Sequence, residues 1–417
     1  MPACHAGGRE FESRPDRKER KSIRPALFSF MKAKFDHITP FLLQLCFVLM
    51  IWIMLGSVFL LDEASRREME LKAWEADRAD SLVTLLFAGD VMGHKQQFET
   101  AYDPTTGQYD YSDCFRYVEP YIKGVDFACA NLEVTLGGPP YAGYPCFSSP
   151  DALMFEVQNI GFDLLFTANN HVLDRGKKGV ERTIMMLDSV GMPHAGSYVD
   201  SLSRDTSYPI IMEVKGLKVG FINATYGTNG LKEKAPNVVN RLDTVQMARD
   251  LERLDEMGAD LKVAVLHWGN EYELKGNKSQ LRCAQSLASH GADLIIGGHP
   301  HVVQNADTIF GSSGNPVVLY YSMGNFISNQ QRLETRGGIM VRVRVNRFTG
   351  RVVDTEYIPY FVFIGTIHGK YQYYVIPCVP YLNGTYDFSL PQYDSTMLHA
   401  EYNAISGRLS NFSQYKE

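Results

Sequence analysis

The sequence predicts an α/β domain, a β-rich continuation at its carboxyl end and one transmembrane helix near its amino end. Short apolar runs rich in Val, Ile, Leu and Phe alternate with amphipathic helical stretches, which is typical of buried strands covered by helices. After Gly337, apolar and polar residues alternate as in antiparallel strands. An apolar run at 41–61 has the length of a membrane span.

The composition is that of a globular protein with a substantial core. Of the 417 residues, 45% are hydrophobic and 21% are charged, which argues against generic disorder. The formal net charge is -6 and no basic, aromatic-rich stripe is present, so we expect no nucleic-acid partner. The seven cysteines include no C-x-x-C pair. Cys114 and Cys146 lie in loop-like stretches, either as a disulfide of an exported domain or as unpaired buried thiols.

The apolar run predicts a membrane anchor. From Phe41 to Leu61 it reads FLLQLCFVLMIWIMLGSVFLL. The preceding segment, 1–40, is rich in Lys and Arg, so the positive-inside rule places it in the cytoplasm and the main domain outside. A cleaved signal peptide is the alternative, but the run exceeds the usual signal core and no A-x-A site follows it. We expect a single-pass anchor followed by a charged linker at 62–81.

Seven apolar runs predict the strands of a main domain at 82–330. They lie at 82–90, 126–134, 162–170, 218–225, 262–269, 293–299 and 317–326. Three stretches between them have apolar residues at helical spacing and end at or just before Gly. They lie at 179–191, 243–260 and 279–293. Residues 331–417 predict a β-rich extension packed on this domain.

Polar residues follow nearly every predicted strand. Ligands bind at the carboxyl ends of strands in α/β sheets, so these clusters predict one shared site. Asp90 and His94 follow the first strand on a Gly-flanked turn, where they suit a divalent metal, although Asp after a strand is often a turn or cap residue. Asn131 and Glu133 end the second strand.

Asn170, His171 and Asp174 follow the third strand. Such polar side chains are costly to bury beside apolar strands unless they pair with one another or bind a ligand. The two interpretations are a polar hydrogen-bond network and a metal or catalytic site.

Histidines on the later strands favour a metal site. His267 ends the fifth strand, and His299 and His301 follow the sixth within the segment GGHPH. Two histidines separated by a single residue, together with a third on the neighbouring strand, can converge on a pair of metals. The glycines beside them have no side chain that would crowd the metals. Asn325, near the end of the seventh strand, either holds a histidine in place or caps a turn.

Taken in order, the motifs G-D-V-M, N-L-E, N-N-H-x-x-D-x-G, H-W-G-x-E, G-G-H-P-H-x-x-Q and S-M-G-N-F resemble the series of the CapA-like family of poly-γ-glutamate capsule biosynthesis. That family is similar in fold to calcineurin-like metallophosphoesterases, which implies a two-sheet α/β sandwich flanked by helices and a centre of one or two divalent ions, such as Mn, Zn or Fe. The resemblance implies metal ligands at Asp90, Glu133, Asn170, His267, His299 and His301. It also implies that His171 protonates a leaving group, with Asp174 orienting its ring.

One position departs from the metallophosphoesterase pattern. Those enzymes place a histidine two residues after the first aspartate, where this chain has Met92. Either His94 takes its place, or one of the two metals is lost or weak. This departure concerns dinuclear catalysis rather than metal binding.

The resemblance implies a metal-dependent, hydrolase-like protein of capsule synthesis, acting on a phosphoester, peptide or isopeptide bond. Two alternatives stay open: a non-catalytic polymer-binding or export component, and an envelope phosphatase. The expected partners are the membrane, an anionic polymer or phosphoester substrate, and other capsule synthesis subunits. Binding an acidic polymer requires metal or a local basic patch, and the basic candidates are Arg175, Lys177, Lys178 and Arg182. Their alternative interpretation is a solvated helix face.

Overall fold

The computed structural model describes residues 42–54, 81–332 and 334–416. The chain divides into two compact units, Met1–Arg78 and Ala79–Glu417. In the first unit, residues 42–54 form helix α1. Within the described ranges, no helix is both long enough and apolar enough to cross a membrane.

Several amino-terminal predictions lie outside the described residues. These are the cytoplasmic segment at 1–40, residues 41 and 55–61 of the membrane span, and residues 62–80 of the linker.

The second unit contains the strands and the remaining helices of the described chain. Its strands are β1 (Leu82–Val91), β2 (Tyr102–Asp103), β3 (Gln108–Tyr109), β4 (Phe127–Leu132), β5 (Leu164–Phe166), β6 (His194–Ala195), β7 (Ser197–Tyr198), β8 (Ile210–Val214), β9 (Leu217–Thr225), β10 (Val238–Val239), β11 (Leu261–His267), β12 (Leu294–Gly298), β13 (Ala306–Phe310), β14 (Pro316–Tyr320), β15 (Asn325–Ile327), β16 (Gly337–Asn346), β17 (Val352–Ile367), β18 (Lys370–Pro377) and β19 (Ser413–Gln414). Its helices are α2 (Lys95–Ala101), α3 (Glu119–Lys123), α4 (Asp151–Asn159), α5 (Gly176–Ser189), α6 (Ser201–Ser207), α7 (Thr244–Glu256), α8 (Lys278–Ser289), α9 (Cys378–Leu382) and α10 (Gln392–Arg408).

A nine-stranded sheet forms one layer, in the order β18-β17-β16-β1-β4-β5-β6, with β15 beside β1 and β19 beside β17. β1, β4, β5 and β6 are parallel, whereas β16 is antiparallel to β1. Side chains of β1 alternate between the two faces, so Val83, Leu85 and Phe87 lie in one core cluster and Leu86 and Ala88 in another. Both faces of this sheet are therefore buried, which explains the nearly continuous apolar run of β1.

A six-stranded sheet forms the second layer, in the order β13-β14-β12-β11-β9-β8. Its four central strands are parallel, and its two edge strands are antiparallel. The two sheets contribute to one core cluster, in which the ring of Phe127 stacks on that of Phe221 with centroids 5.8 Å apart. The two sheets therefore pack face to face.

Helices cover the outer faces of both sheets. On the first sheet, Leu153 of α4 and Leu187 of α5 belong to the outer core cluster. The helices on the second sheet are α7 and α8. They are preceded by the N-cap residues Asp243 and Asn277, whose side chains accept hydrogen bonds from backbone N–H groups of the first helical turn. The three helices predicted from apolar spacing are present as α5, α7 and α8.

The strand predicted at 317–326 is wrong as a single element. β14 ends at Tyr320 in the second sheet, and β15 begins at Asn325 in the first. Gly324, with φ 75, lies just before β15, and this left-handed conformation suits glycine. Because the chain changes sheets here, Asn325 lies beside Asp90 in the register of β1 and β15.

The carboxyl-terminal part extends the first sheet, since β16 pairs with β1 and β17 with both β16 and β18. It also contains α9 and α10, which the sequence patterns did not predict. The six cysteines of the described residues are unpaired, and Cys114 is buried whereas Cys146 is exposed. The structure therefore has the expected unpaired buried thiol at Cys114, whereas the expectation of burial is wrong at Cys146.

Candidate metal centre

The ends of neighbouring strands in the first sheet bring three polar side chains together. Asp90 at the end of β1 is in register with Asn131 of β4 and Asn325 of β15. The Asn131 amide donates to Asp90 Oδ1 at 2.7 Å. Gly89 allows this arrangement, because a Cβ at that position would lie 2.0 Å from the carbonyl oxygen of Gly324.

The second sheet reaches the same point. His267 ends β11 and is in register with Gly298, which ends β12. A Cβ at Gly298 would lie 2.8 Å from Asp90 Oδ1, so the absence of a side chain lets the two sheets approach here. The next backbone N–H, that of His299, donates to Asp90 Oδ2 at 3.0 Å.

Glu133 lies among three imidazoles. Its Oε1 is 3.5 Å from Nε2 of His267, 4.0 Å from Nε2 of His301 and 4.0 Å from Nε2 of His171. The carboxylate is fully buried, yet neither of its oxygens has a hydrogen-bond partner. An unpaired buried carboxylate is costly, so this position requires a proton or a cation.

Two overlapping groups of side chains have the geometry of metal ligands. One consists of Glu133, His299 and His301, and the other of Asp90, Glu133 and His267. Within each group the ligand atoms lie within 4.8 Å of one another. Glu133 belongs to both groups, so it would be a ligand of a metal held by either one.

The donor set fits divalent transition metals. Carboxylate oxygen and imidazole nitrogen are ligands of Zn, Mn and Fe. His299 Nδ1 is, like the oxygens of Glu133, buried and without a hydrogen-bond partner. Side chains left without partners at one buried point are satisfied if they bind a cation.

The protonation states of the buried groups favour the same ligand. Burial, followed by the charge of Glu133, raises the pKa of Asp90 to about 7. Burial raises the pKa of Glu133 to about 8. Burial also lowers the pKa of His267 to about 4 and that of His301 to about 3. The histidines are therefore neutral, the state in which they bind metals, and ionisation of the acids calls for positive charge.

Other side chains orient these ligands. Nδ1 of His301 is 2.9 Å from Asn325 Oδ1, so the proton of that ring lies on Nδ1 and its Nε2 is left to bind metal. His299 and His301 have φ values of 97 and 60, in the left-handed region that favours glycine. Non-glycine residues in that region are strained, and such strain is concentrated at functional sites.

Asn170 lies beside these ligands. Its Oδ1 is 2.8 Å from Nε2 of His267, and its Nδ2 donates to Asn229 Oδ1 at 3.3 Å. The Asn170 oxygen therefore points toward the group of potential metal ligands that contains His267. The family resemblance implies that Asn170 is itself a metal ligand.

His171 and Asp174 form a buried pair at the edge of the centre. His171 Nδ1 is 2.7 Å from Asp174 Oδ2, and this carboxylate oxygen also accepts from the backbone N–H of Phe147 at 2.8 Å. Burial lowers the pKa of His171, but its hydrogen bond to Asp174 and the charge of Glu133 outweigh this effect and leave the pKa raised. The imidazole is therefore suited to hold a proton on Nε2, the atom that faces Glu133.

His94 does not belong to either ligand group. Its Nδ1 accepts a hydrogen bond from the backbone N–H of Asn329 at 3.2 Å. Met92 is buried in the core beside the first sheet. The geometry therefore gives no support to the alternative in which His94 replaces the histidine absent at Met92.

Sequence reasoning missed three aromatic side chains around the centre. Phe147 contacts the rings of both His94 and His171, at centroid distances of 5.2 and 4.7 Å. The ring centroid of Tyr226 lies 4.4 Å from that of His299, and the ring centroid of Tyr272 lies 6.1 Å from that of His301. None of the three is marked by periodicity. Only Tyr272 has a local signal, because it directly follows the H-W-G-x-E motif.

Comparison with known proteins identifies relatives in capsule synthesis. The model of the bacterial capsule synthesis protein family, PGA_cap, matches residues 84–330. The chain is 28% identical over 293 residues to the capsule biosynthesis protein CapA of Bacillus anthracis, covering 66% of this chain and 67% of the relative. It is 26% identical over 288 residues to the PGA biosynthesis protein CapA of Bacillus subtilis (strain 168), covering 66% and 70%.

Solved structures give a weaker likeness. The chain is similar to the NAD nucleotidase NadN of Haemophilus influenzae, with a TM-score of 0.46 and 14% identity, covering 78% of this chain and 60% of that one. It is also similar to a 5'-nucleotidase from Candida albicans, with a TM-score of 0.40 and 11% identity, covering 78% and 56%. Likeness at this level carries no argument about substrate or reaction.

Proposed function

The chain belongs to the bacterial capsule synthesis protein family, and from this premise we propose that it is a membrane-anchored, metal-dependent hydrolase of capsule or poly-γ-glutamate synthesis. The names of its two Bacillus relatives, which refer to capsule and PGA biosynthesis, support the pathway. The ligand geometry around Glu133 supports the metal dependence.

A single observation carries the hydrolase proposal. Glu133 is buried without hydrogen-bond partners and is common to two groups of potential ligands. A purely structural acid would pair with a donor, because burying an unpaired neutral polar group already costs roughly 2 to 7 kcal/mol and an unpaired carboxylate costs more. One or two bound cations would satisfy this position. Asp90, Glu133, Asn170, His267, His299 and His301 would hold them.

At such a site, divalent metal ions supply Lewis acidity that polarises a phosphoryl or carbonyl oxygen. The side chains of the chain fix the geometry. Asn131 holds Asp90 through Oδ1, and Asn325 holds His301 through Nδ1. Both asparagines are buried, so the ligands are positioned before substrate arrives.

His171 acts as the proton donor in this proposal. Asp174 accepts from Nδ1, which fixes the ring and leaves the second proton on Nε2. The hydrogen bond to Asp174 and the charge of Glu133 raise the pKa of His171, which favours the protonated ring. Phe147 packs edge-on against the ring and shields the pair from water. His171 therefore delivers its Nε2 proton to a leaving oxygen or nitrogen, and Asp174 stabilises the charged ring before transfer.

The location proposed for this domain is outside the cytoplasm. The support is the apolar run at 41–61 together with the basic residues that precede it. An anchor at the membrane would hold the domain where capsule polymer emerges, beside other capsule synthesis subunits.

A hydrolysis assay tests the proposal. The full chain in detergent is stripped with chelator, and samples are reconstituted with Mn, Zn or Fe. Each sample is incubated with γ-linked oligoglutamate and with phosphomonoesters and phosphodiesters. The proposal expects metal-dependent cleavage that is absent after chelation. Binding of oligoglutamate with no cleavage of any substrate would favour the non-catalytic polymer-binding alternative, and cleavage of phosphomonoesters alone would favour the envelope phosphatase.

A further inference from the structure

Arg332 stands at the edge of the metal centre without an acidic partner. Its guanidinium carbon lies 4.3 Å from the ring centroid of Tyr272. The side chain is exposed. Neighbouring arginines differ, because Arg336 pairs with Asp394 and Arg408 with Glu334. Within the described part of the chain, no carboxylate forms an ion pair with Arg332.

Tyr272 fixes the position of this arginine relative to the metal ligands. Its backbone N–H donates to the carbonyl oxygen of Pro300 at 2.8 Å, between the two histidines of the GGHPH segment. Its ring lies 6.1 Å from that of His301. The guanidinium of Arg332 is therefore separated from a proposed metal ligand by a single aromatic ring.

The loop that carries Arg332 is tied to the same centre. It follows β15, whose Asn325 orients His301. The Asn325 amide also donates to Gln330 Oε1 at 3.3 Å, two residues before Arg332. The stacking on Tyr272 and this anchoring hold a cation in place on the side of Tyr272, whose ring also lies near His301.

Negative charge near the centre would oppose the binding of an anionic substrate, and a positively charged side chain would counter it. Glu271 is exposed and directly precedes Tyr272, and its charge raises the pKa of Tyr272 after the larger effect of burial. The Glu271 carboxylate repels an anionic substrate, whereas bound metal would neutralise the charges of Asp90 and Glu133. An unpaired arginine on the ring of Tyr272 offsets that repulsion at one place and presents a planar pair of donors to an oxyanion.

Three of the four basic residues expected from sequence are already engaged. Arg182 forms hydrogen bonds with both carboxylate oxygens of Asp151. Lys177 pairs with Glu181 on the same helix. Arg175 donates to the carbonyl oxygen of Pro140 at 3.4 Å. These contacts leave Arg332 as the stronger candidate for binding substrate.

We propose that Arg332, held by Tyr272, binds an oxyanion of the substrate, a carboxylate or a phosphate, adjacent to the bond that is cleaved. This rests on the proposed function, because it assigns a substrate contact to the same site. Arg332 is then a specificity-determining residue, and the preferred substrates are those that carry a second anionic group near the reacting one.

Binding measurements on the metal-loaded full chain test this inference. The probes are γ-linked oligoglutamate and inorganic phosphate, and the variants are Arg332→Ala, Arg332→Lys and Tyr272→Phe. Lys177→Ala is the control, since it removes a positive charge outside the centre. Metal content is measured for each sample.

Arg332→Ala is expected to weaken binding of at least one probe by about tenfold or more, the effect of losing a charged hydrogen bond. Arg332→Lys should recover part of the lost affinity. Tyr272→Phe keeps the aromatic ring and should bind nearly as tightly as the wild type does. Weakening for oligoglutamate assigns a carboxylate, and weakening for phosphate alone assigns a phosphate.

Equal binding of both probes by wild type and Arg332→Ala overturns the inference, as does failure of the wild type to bind either probe. Turnover is followed in the same samples. If binding depends on Arg332 but even the wild type turns over no substrate, the result counts against the proposed function only. If the wild type turns substrate over but binds the probes no more tightly than Arg332→Ala does, the result counts against the Arg332 assignment only.

Discussion

Oε1 of Glu133 lies 3.5 Å from Nε2 of His267, although the two residues belong to different sheets. β4 precedes Glu133 in the first sheet, and β11 ends at His267 in the second. Parallel strands of both sheets end at the same edge of the sandwich, so acids from one layer meet histidines from the other.

Asp174→Asn is expected to lower kcat by about 10²- to 10⁴-fold, because His171 loses the partner that fixes its ring and raises its pKa. Metal content should not change, since Asp174 is in neither ligand group. Steady-state kinetics on the hydrolysed substrate and elemental analysis provide the two readouts. Asp188→Asn is a matched control, because Asp188 lies 3.2 Å from the ring of His194 on the surface. Wild-type kcat in Asp174→Asn would remove His171 from its proposed role.

Asn325→Ala is expected to weaken metal binding by about 10- to 100-fold, because His301 loses the acceptor that fixes its tautomer. Competition with a chelator of known affinity measures the change. Asn329→Ala is the control, since its side chain contacts Gln96 and Tyr373 instead of a metal ligand. Equal affinities in the two variants would show that Asn325 does not act through His301.

Gly298→Ala is expected to displace Asp90, since the added Cβ would lie 2.8 Å from Asp90 Oδ1. Overpacking of this kind costs about 1–3 kcal/mol in the free energy of unfolding, and bound metal should be reduced. Gly407→Ala is the control, because nothing lies within 4 Å of a Cβ at that exposed helical position. Urea denaturation and metal analysis compare them. A Gly298→Ala protein with unchanged stability and full metal content would contradict the close approach of the two sheets.

The metal-free protein is expected to lose stability as the pH rises from 6.5 to 8. The pKa values of Asp90 and Glu133 are raised to about 7 and about 8, so the folded protein holds protons that the unfolded chain has already released. His267 and His301, with lowered pKa values, are neutral in the folded protein, whereas in the unfolded chain they are about half protonated at pH 6.5, so they offset part of this slope. The expected net loss is on the order of 1 kcal/mol.

Urea unfolding in chelator at pH 6.5, 7 and 8 measures this slope. Glu133→Gln should flatten it, because the amide cannot ionise. Added metal should stabilise the wild type more at pH 8 than at pH 6.5, since binding displaces the protons. A slope of equal size in Glu133→Gln would show that other groups cause it.

Much of the site could be predicted because it depends on strand ends. Apolar runs locate β1, β11 and β12, and the polar residues after them mark one edge of the sheets whatever the strand order. His299 and His301 are recognisable on the same grounds. Sequence order therefore identifies the residues that meet, although it does not give their distances.

Other features depend on long-range packing that no local pattern records. The apolar run at 317–326 looks like one strand, but the turn at Gly324 sends its two halves to different sheets and places Asn325 beside Asp90. The stacking of Arg332 on Tyr272 joins two loops that are distant in sequence. His94 has suitable chemistry and a suitable position in the chain, but a backbone hydrogen bond from Asn329 occupies its Nδ1.

The metal content of the purified chain tests the central claim most directly. Elemental analysis would compare the wild type, Glu133→Gln and Glu401→Gln after reconstitution and removal of unbound metal. Glu401 is a matched control, because it is also buried and burial raises its pKa to about 7, but it lies in neither ligand group. We expect one or two transition metal ions per chain in the wild type and in Glu401→Gln, and their loss in Glu133→Gln. A wild type without metal, or a Glu133→Gln variant that retains the wild-type content, would contradict the metal centre.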